Sequence, residues 1–164
     1  MTLYNVLKLL HVIAAVVFAG GLFARQTVRA YATSADDVVW FAHAMKAAAH
    51  IERRMVRPGS LAVLALGIVQ ARLGGIPIFG SLTGGNQNWL LVSMSLYVGT
   101  FALVPLVFLP RGRSFRPALA AALEQGRMTP ELRAAMNDPV VALAHRFEEA
   151  STLVVFALMV LKPF

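Results

Sequence analysis

The first group in this sequence that could do chemistry is an imidazole set in an apolar helix. His11 lies between Leu9-Leu10 and Val12-Ile13, two turns into a run long enough to span a bilayer. An ionisable side chain there is costly without a partner, and such residues generally face the bundle interior or a ligand. Ligation of a cofactor or metal through a ring nitrogen is the chemistry on offer; the plainer alternative is a hydrogen-bonded structural histidine. Helical spacing puts Ala15, Phe18, Leu22 and Arg25 on the His11 face, so one side of the helix carries imidazole near one leaflet and guanidinium near the other. In a later apolar run Ser93, Tyr97 and Thr100 recur at i, i+4 and i+7. That uncharged stripe suits helix–helix hydrogen bonding or the polar edge of a ligand. Met94 and Met159 fall at the depth of His11, so a His/Met pocket is sterically open, although methionine is usually a packing residue.

A second cluster sits at the other end. His145, Arg146, Glu148 and Glu149 open the last apolar run, and Glu149, Thr152 and Phe156 should share a face, with Arg25, Arg54 and Arg57 at the same level. Carboxylates at a bundle end need partners, which predicts an ion-pair network of Arg25, Arg54, Arg57, Arg146 and Glu149 joining helices one, two and four. Its expected role is structural, and a proton relay is the sharper alternative. His43 and His50, seven apart, share one face of an amphipathic segment, but two histidines alone are a weak metal signal; they read as facing solvent or headgroups.

These groups need membrane helices to position them. The chain is 164 residues long, 58% hydrophobic and 14% charged, against about a quarter charged in ordinary soluble domains. Spans of about 20 residues leave room for four, placed at roughly 3–30, 57–73, 89–109 and 139–161. The fold expected is an all-α integral membrane four-helix bundle forming a single transmembrane domain. The apolar N-terminus has its basic residues, Arg25 and Arg29, after the apolar run, and reads as an uncleaved span. Ser34, Asp36 and Asp37 can cap an amphipathic helix before the second span, and Arg57-Pro58-Gly59 marks a break. Gly74 to Asn88 is an uncharged, turn-rich loop. Pro105 is expected to kink the third span and Pro110 to stop it. Short helices follow near Pro117–Gln125 and from Thr129-Pro130, both at the membrane surface, and Asp138-Pro139 starts the fourth span.

Of the fifteen Lys and Arg residues, only Lys8, Arg72 and Lys162 fall on the side of the termini, so the positive-inside rule predicts both ends outside and a bacterial-type inner-membrane location. The net charge of +7 is therefore topological, and nucleic acid is not a partner. There is no cysteine, which excludes disulfides, thiolate metal sites and cysteine nucleophiles. Alanine- and glycine-rich faces permit a homo-oligomer as well as close packing within one bundle.

The sequence resembles the HemJ-type protoporphyrinogen oxidases, the uncharacterised small integral membrane proteins related to them and, more distantly, the CopD copper-resistance membrane domain. The likeness is carried by Leu9-Leu10-His11-Val12, Phe18-Ala19-Gly20-Gly21-Leu22-Phe23, Ile51-Glu52-Arg53-Arg54-Met55, Trp89-Leu90, and Arg146-Phe147-Glu148-Glu149 with Leu161-Lys162-Pro163-Phe164. It implies a haem b or porphyrin held at His11, with Met94 or Met159 as a second ligand beside Ser93 and Tyr97, and a redox role exchanging electrons with membrane quinone. The third-helix histidine and lysine of HemJ proteins are Leu91 and Ser93 here, so the resemblance extends to the pocket rather than to porphyrinogen oxidation. From the CopD side, His11 and the methionines would handle copper. A non-catalytic interaction subunit is the third reading.

Overall fold

The structure is a computed structural model that describes residues 2–83 and 88–163; residues 84–87 of the expected outer loop, and Met1 and Phe164, lie outside the described residues. Among the described residues the chain is helical, with no strand. Helix α1 is Leu3–Thr33, α2 Val38–Leu73, α3 Trp89–Glu124, α4 Pro130–Met136 and α5 Pro139–Leu161. Side-chain caps start four of them. Thr2 accepts from the Asn5 N–H, Asp37 from Val39 and Trp40, Thr129 from Leu132, and Asp138 from Val140 and Val141. Each satisfies an amide that the first helical turn leaves without an intrahelical acceptor.

By length and apolar composition α1, α2 and α3 can each cross a membrane. Helix α5 has 23 residues, a rise of roughly 34 Å, but Arg146, Glu148 and Glu149 occupy its first half and leave Ala150–Leu161 as the apolar part. A band of exposed apolar side chains, including Val16, Val98, Leu106 and Val160, rings the bundle where lipid replaces water as solvent.

Helices α1 and α2 form one tight pair, α3 and α5 another, and the pairs meet sparsely. The α1–α2 seam has a simple construction. Tyr4, His11 and Phe18, spaced by seven, each lie against a glycine of α2: a Cβ on Gly74 would be 3.4 Å from the Tyr4 ring, one on Gly67 3.1 Å from His11 Cε1, and one on Gly59 3.0 Å from Phe18 Cα. Seven residues further on, Arg25 meets Glu52. In return Gly21 faces Met55 and Val56, where a Cβ would approach Met55 Cβ to 2.6 Å. Rings on α1 thus fill the space left by Gly67 and Gly74 on an antiparallel partner, and at Gly59 the α1 backbone itself comes close.

The long helices do not end where prolines suggested. Pro58 falls inside α2 and Pro110 inside α3; instead of breaking, each helix widens one turn upstream. Residues Glu52–Val56 and Val104–Phe108 are π-helical, with the Arg57 N–H donating to Glu52 O and the Leu109 N–H to Val104 O. Both π turns end two residues before a proline, whose ring would otherwise press on the preceding turn. The helices therefore continue past the apolar band. The amphipathic helix expected before the second span is present over Val38–Ile51 and runs on into that span, and the end of α3 and α4 do not lie separately on the surface. Together with the end of α1 they bury Ala32, Val38, Phe41, Ala122 and Leu132, each 1% exposed or less. A second apolar cluster, Ala71, Trp89, Leu90 and Leu158, closes the other end of the bundle.

Candidate functional site

The gap between the two helix pairs holds two cavities that meet at a charged waist. On the bundle side lies a cavity of about 420 Å³, walled by apolar residues such as Phe18, Leu22, Val155 and Phe156 and by the hydroxyls of Ser60, Tyr97, Thr100, Ser151 and Thr152. On the basic side lies a vestibule of about 320 Å³. Arg25, Glu52, Arg57, Val104 and Leu109 border both. The two π turns flank this waist, placing Glu52 and Val56 from α2, and Val104 and Phe108 from α3, around the junction.

Arg25 is the centre of the waist. It is 8% exposed, with one terminal nitrogen on Glu52 and the other donating to Glu148 Oε2 at 2.7 Å. Glu148, 6% exposed, also contacts His145 Nδ1 at 2.8 Å and accepts a long 3.5 Å bond from Gln26 Nε2. Arg57 Nε donates to Glu52 Oε1 at 3.2 Å from a largely exposed position. The His145 ring stacks on Phe108 with centroids 4.7 Å apart, and its Nε2 is buried without a hydrogen-bond partner, as is Arg25 Nε. One buried and one half-buried carboxylate around one buried guanidinium, with a second arginine and a histidine at the edge, make a nearly charge-balanced set. That balance is what allows it to sit in a low-dielectric interior.

The expected ion-pair network thus exists with a different membership. Arg25 and Arg57 belong to it; Arg54 and Arg146 are exposed and outside it, and Glu149 has no ion-pair partner among the described residues. Glu52 and Glu148 take the carboxylate positions. The inward stripe of α5 runs Ala144, Glu148, Ser151, Thr152, Leu158; of the anticipated Glu149, Thr152 and Phe156, the last two line the chamber and Glu148 takes the place of Glu149. The small side chains at 144, 151 and 152 were the available signal for that phase. Glu52 lies in the π turn, where the ordinary 100° step does not hold.

Phe18, Leu22 and Arg25 do line the bundle cavity, as their shared face predicts. His11 does not: it lies seven residues up the seam over Gly67, and its Nδ1 is buried and unpartnered. Met94 and Met159 pack on the Ala71–Trp89–Leu90–Leu158 cluster. Ser93 and Thr100 donate to carbonyls in their own helix, Trp89 O and Leu96 O, while Tyr97 OH reaches across to Ser60 O at 3.1 Å. His43 and His50 are exposed. No group of three or more His, Asp or Glu side chains suited to a metal exists among the described residues. An axial haem ligand needs an open face beside its ring nitrogen; a ring seated on helix backbone at Gly67, away from both cavities, does not offer one as packed.

The sequence matches the family described as "Predicted integral membrane protein (DUF2269)" over residues 5–163. No curated protein and no solved structure matches it.

Proposed function

The chain belongs to the DUF2269 family of predicted integral membrane proteins, and from that premise we propose that its intramembrane cavity binds the ring of a membrane quinone in a redox role. One observation carries the reading: an apolar chamber inside the bundle ends on hydrogen-bonding groups whose charges are already paired. A neutral, flat ligand with ring oxygens suits such a chamber, since apolar walls cover its faces and a few polar groups orient it. Ser60, Tyr97, Thr100 and Thr152 donate their hydroxyl protons to backbone carbonyls, which leaves the Ser151 hydroxyl, bordering the same chamber, to donate to a ring oxygen. Reduction of the bound quinone by an electron-transfer protein outside this chain would also take up protons, and Glu148 with His145 links the chamber to the vestibule. The positive-inside rule supports a cell-membrane location with the basic end in the cytoplasm and both termini outside.

The test is to purify the protein from quinone-replete membranes, exchange it into nanodiscs and extract it for quinone. About one quinone per chain is expected, falling at least tenfold in Val155→Trp, which fills the cavity. A wild-type protein that retains none overturns the reading.

The haem expected from the resemblance has one supporting observation, the unpartnered Nδ1 of His11. Oxidised and dithionite-reduced spectra of protein made with haem supplied decide it: a Soret band lost in His11→Ala supports haem, and colourless wild-type protein removes it. Metal analysis of the same samples tests the copper reading.

A further inference from the structure

The vestibule has a different electrostatic character from the chamber beyond it. Five arginines and one histidine border it, namely Arg25, Arg29, Arg57, Arg111, Arg116 and His145, against one carboxylate, Glu52. Both terminal nitrogens of Arg25 are committed at the waist, to Glu52 and Glu148. Arg57 and Arg111 each have one carboxylate contact, to Glu52 and Asp138, and keep further N–H groups to offer. Arg29 and Arg116 have no hydrogen-bond or ion-pair partner among the described residues, although Arg29 is half-buried on α1. Arginines that only set topology sit well in water on loops. Arg29 instead stands within a packed helix beside Arg25 and borders a cavity whose remaining walls include Phe41, Phe108 and Phe115.

We propose that this vestibule binds a phosphate-bearing anion, with Arg29 and Arg116 as its uncommitted ligands and Arg57 and Arg111 completing the ring. Low-dielectric walls focus the field of the cations into the cavity, and the guanidinium fork matches phosphate oxygens two at a time. At about 320 Å³ the space takes a phosphate or diphosphate with a small organic body, or the headgroup of an anionic lipid, but not a whole lipid. The proposal is independent of the quinone reading, because the two cavities share only the waist.

The experiment measures binding of inorganic pyrophosphate by calorimetry to the full chain in phosphatidylcholine nanodiscs, and co-isolation of phosphatidylglycerol by native mass spectrometry from mixed bilayers. The variants are Arg29→Gln, Arg116→Gln and, as control, Arg113→Gln, an exposed arginine that does not border the cavity. Pyrophosphate binding that weakens roughly tenfold in each of the first two variants and not in the control supports a site for soluble phosphate compounds. Phosphatidylglycerol retained by wild type and control but lost in those two variants, without pyrophosphate binding, supports a headgroup site. Neither ligand binding, or the control weakening as much as Arg116→Gln, overturns the proposal. Arg116 is exposed, so its replacement leaves the fold intact even if that of Arg29 does not.

Discussion

Arg25 holds two carboxylates that are themselves mostly withdrawn from water, so its removal costs more than the bonds it makes. Arg25→Ala should lower stability by about 3–5 kcal/mol, as expected when one partner of a buried pair is removed. Adding Glu148→Ala should cost less than a second independent loss, since it removes one stranded charge. Thermal unfolding of the two single variants and the double variant in detergent checks this, and additive losses would count against a coupled waist. Asp138 offers a pH test outside the spans. Desolvation pushes its carboxyl up, but Arg111 and the Val140 and Val141 N–H groups outweigh that and hold it below its ordinary value. A lowered folded-state pKa means stabilisation that is present above the ordinary carboxylate range and lost as pH falls through the folded value. Unfolding followed from neutral to strongly acid pH should therefore show a loss that Asp138→Asn lacks. At this scale the sequence was legible where a residue's partner is local, as with the Asp138 cap. Arg25 was legible as half of a pair, but choosing Glu148 over Glu149 required the rotation of α5, which neighbouring helices fix.

Along the elements, adjacent glycines make the sharpest comparison. A Cβ on Gly20 meets nothing within 4 Å, whereas on Gly21 it would run into Met55 Cβ at 2.6 Å. Gly20→Ala should be neutral or stabilising by up to about 1 kcal/mol from helix propensity, and Gly21→Ala should destabilise by about 1–3 kcal/mol through overpacking. Equal effects in unfolding measurements would mean that α1 and α2 do not meet in this register. The all-helical membrane bundle with its long apolar helices, the caps at Asp37, Thr129 and Asp138 and the close packing of the first helix were all readable from composition and spacing. The continuity of α2 and α3 was not. Proline is a reliable break signal in an isolated helix, but here Pro58 and Pro110 each follow a π turn, Pro105 lies within one, Pro117 is carried inside α3, and the packing of Phe41 against Phe115 holds the segments in line. Gly59 read as part of a break and Gly74 as the start of a loop, whereas both are close-approach points of the α1–α2 seam.

For the molecule as a whole, the absence of cysteine makes sidedness directly measurable. Ser34→Cys in the α1–α2 turn and Ser81→Cys in the opposite loop are both exposed positions. An impermeant thiol reagent should label the second in intact cells and the first only in inverted vesicles; the reverse pattern would invert the topology. The π turns bear on the molecule at this same scale. A π turn is an α-helix carrying one residue more than its neighbours require, and each residue turns a helix by about 100°. Deleting one residue within Glu52–Val56 would leave an ordinary α turn with both halves at their present angle, whereas winding all five residues into α geometry would keep the seam of the bilayer half and rotate Val38 and Phe41 out of their core at the basic end. The extra residue works like the phasing of two gears on one shaft. It sets the angle at which the half in lipid drives the half in water, so any change that winds the π turn into an α turn would be transmitted across the waist as rotation.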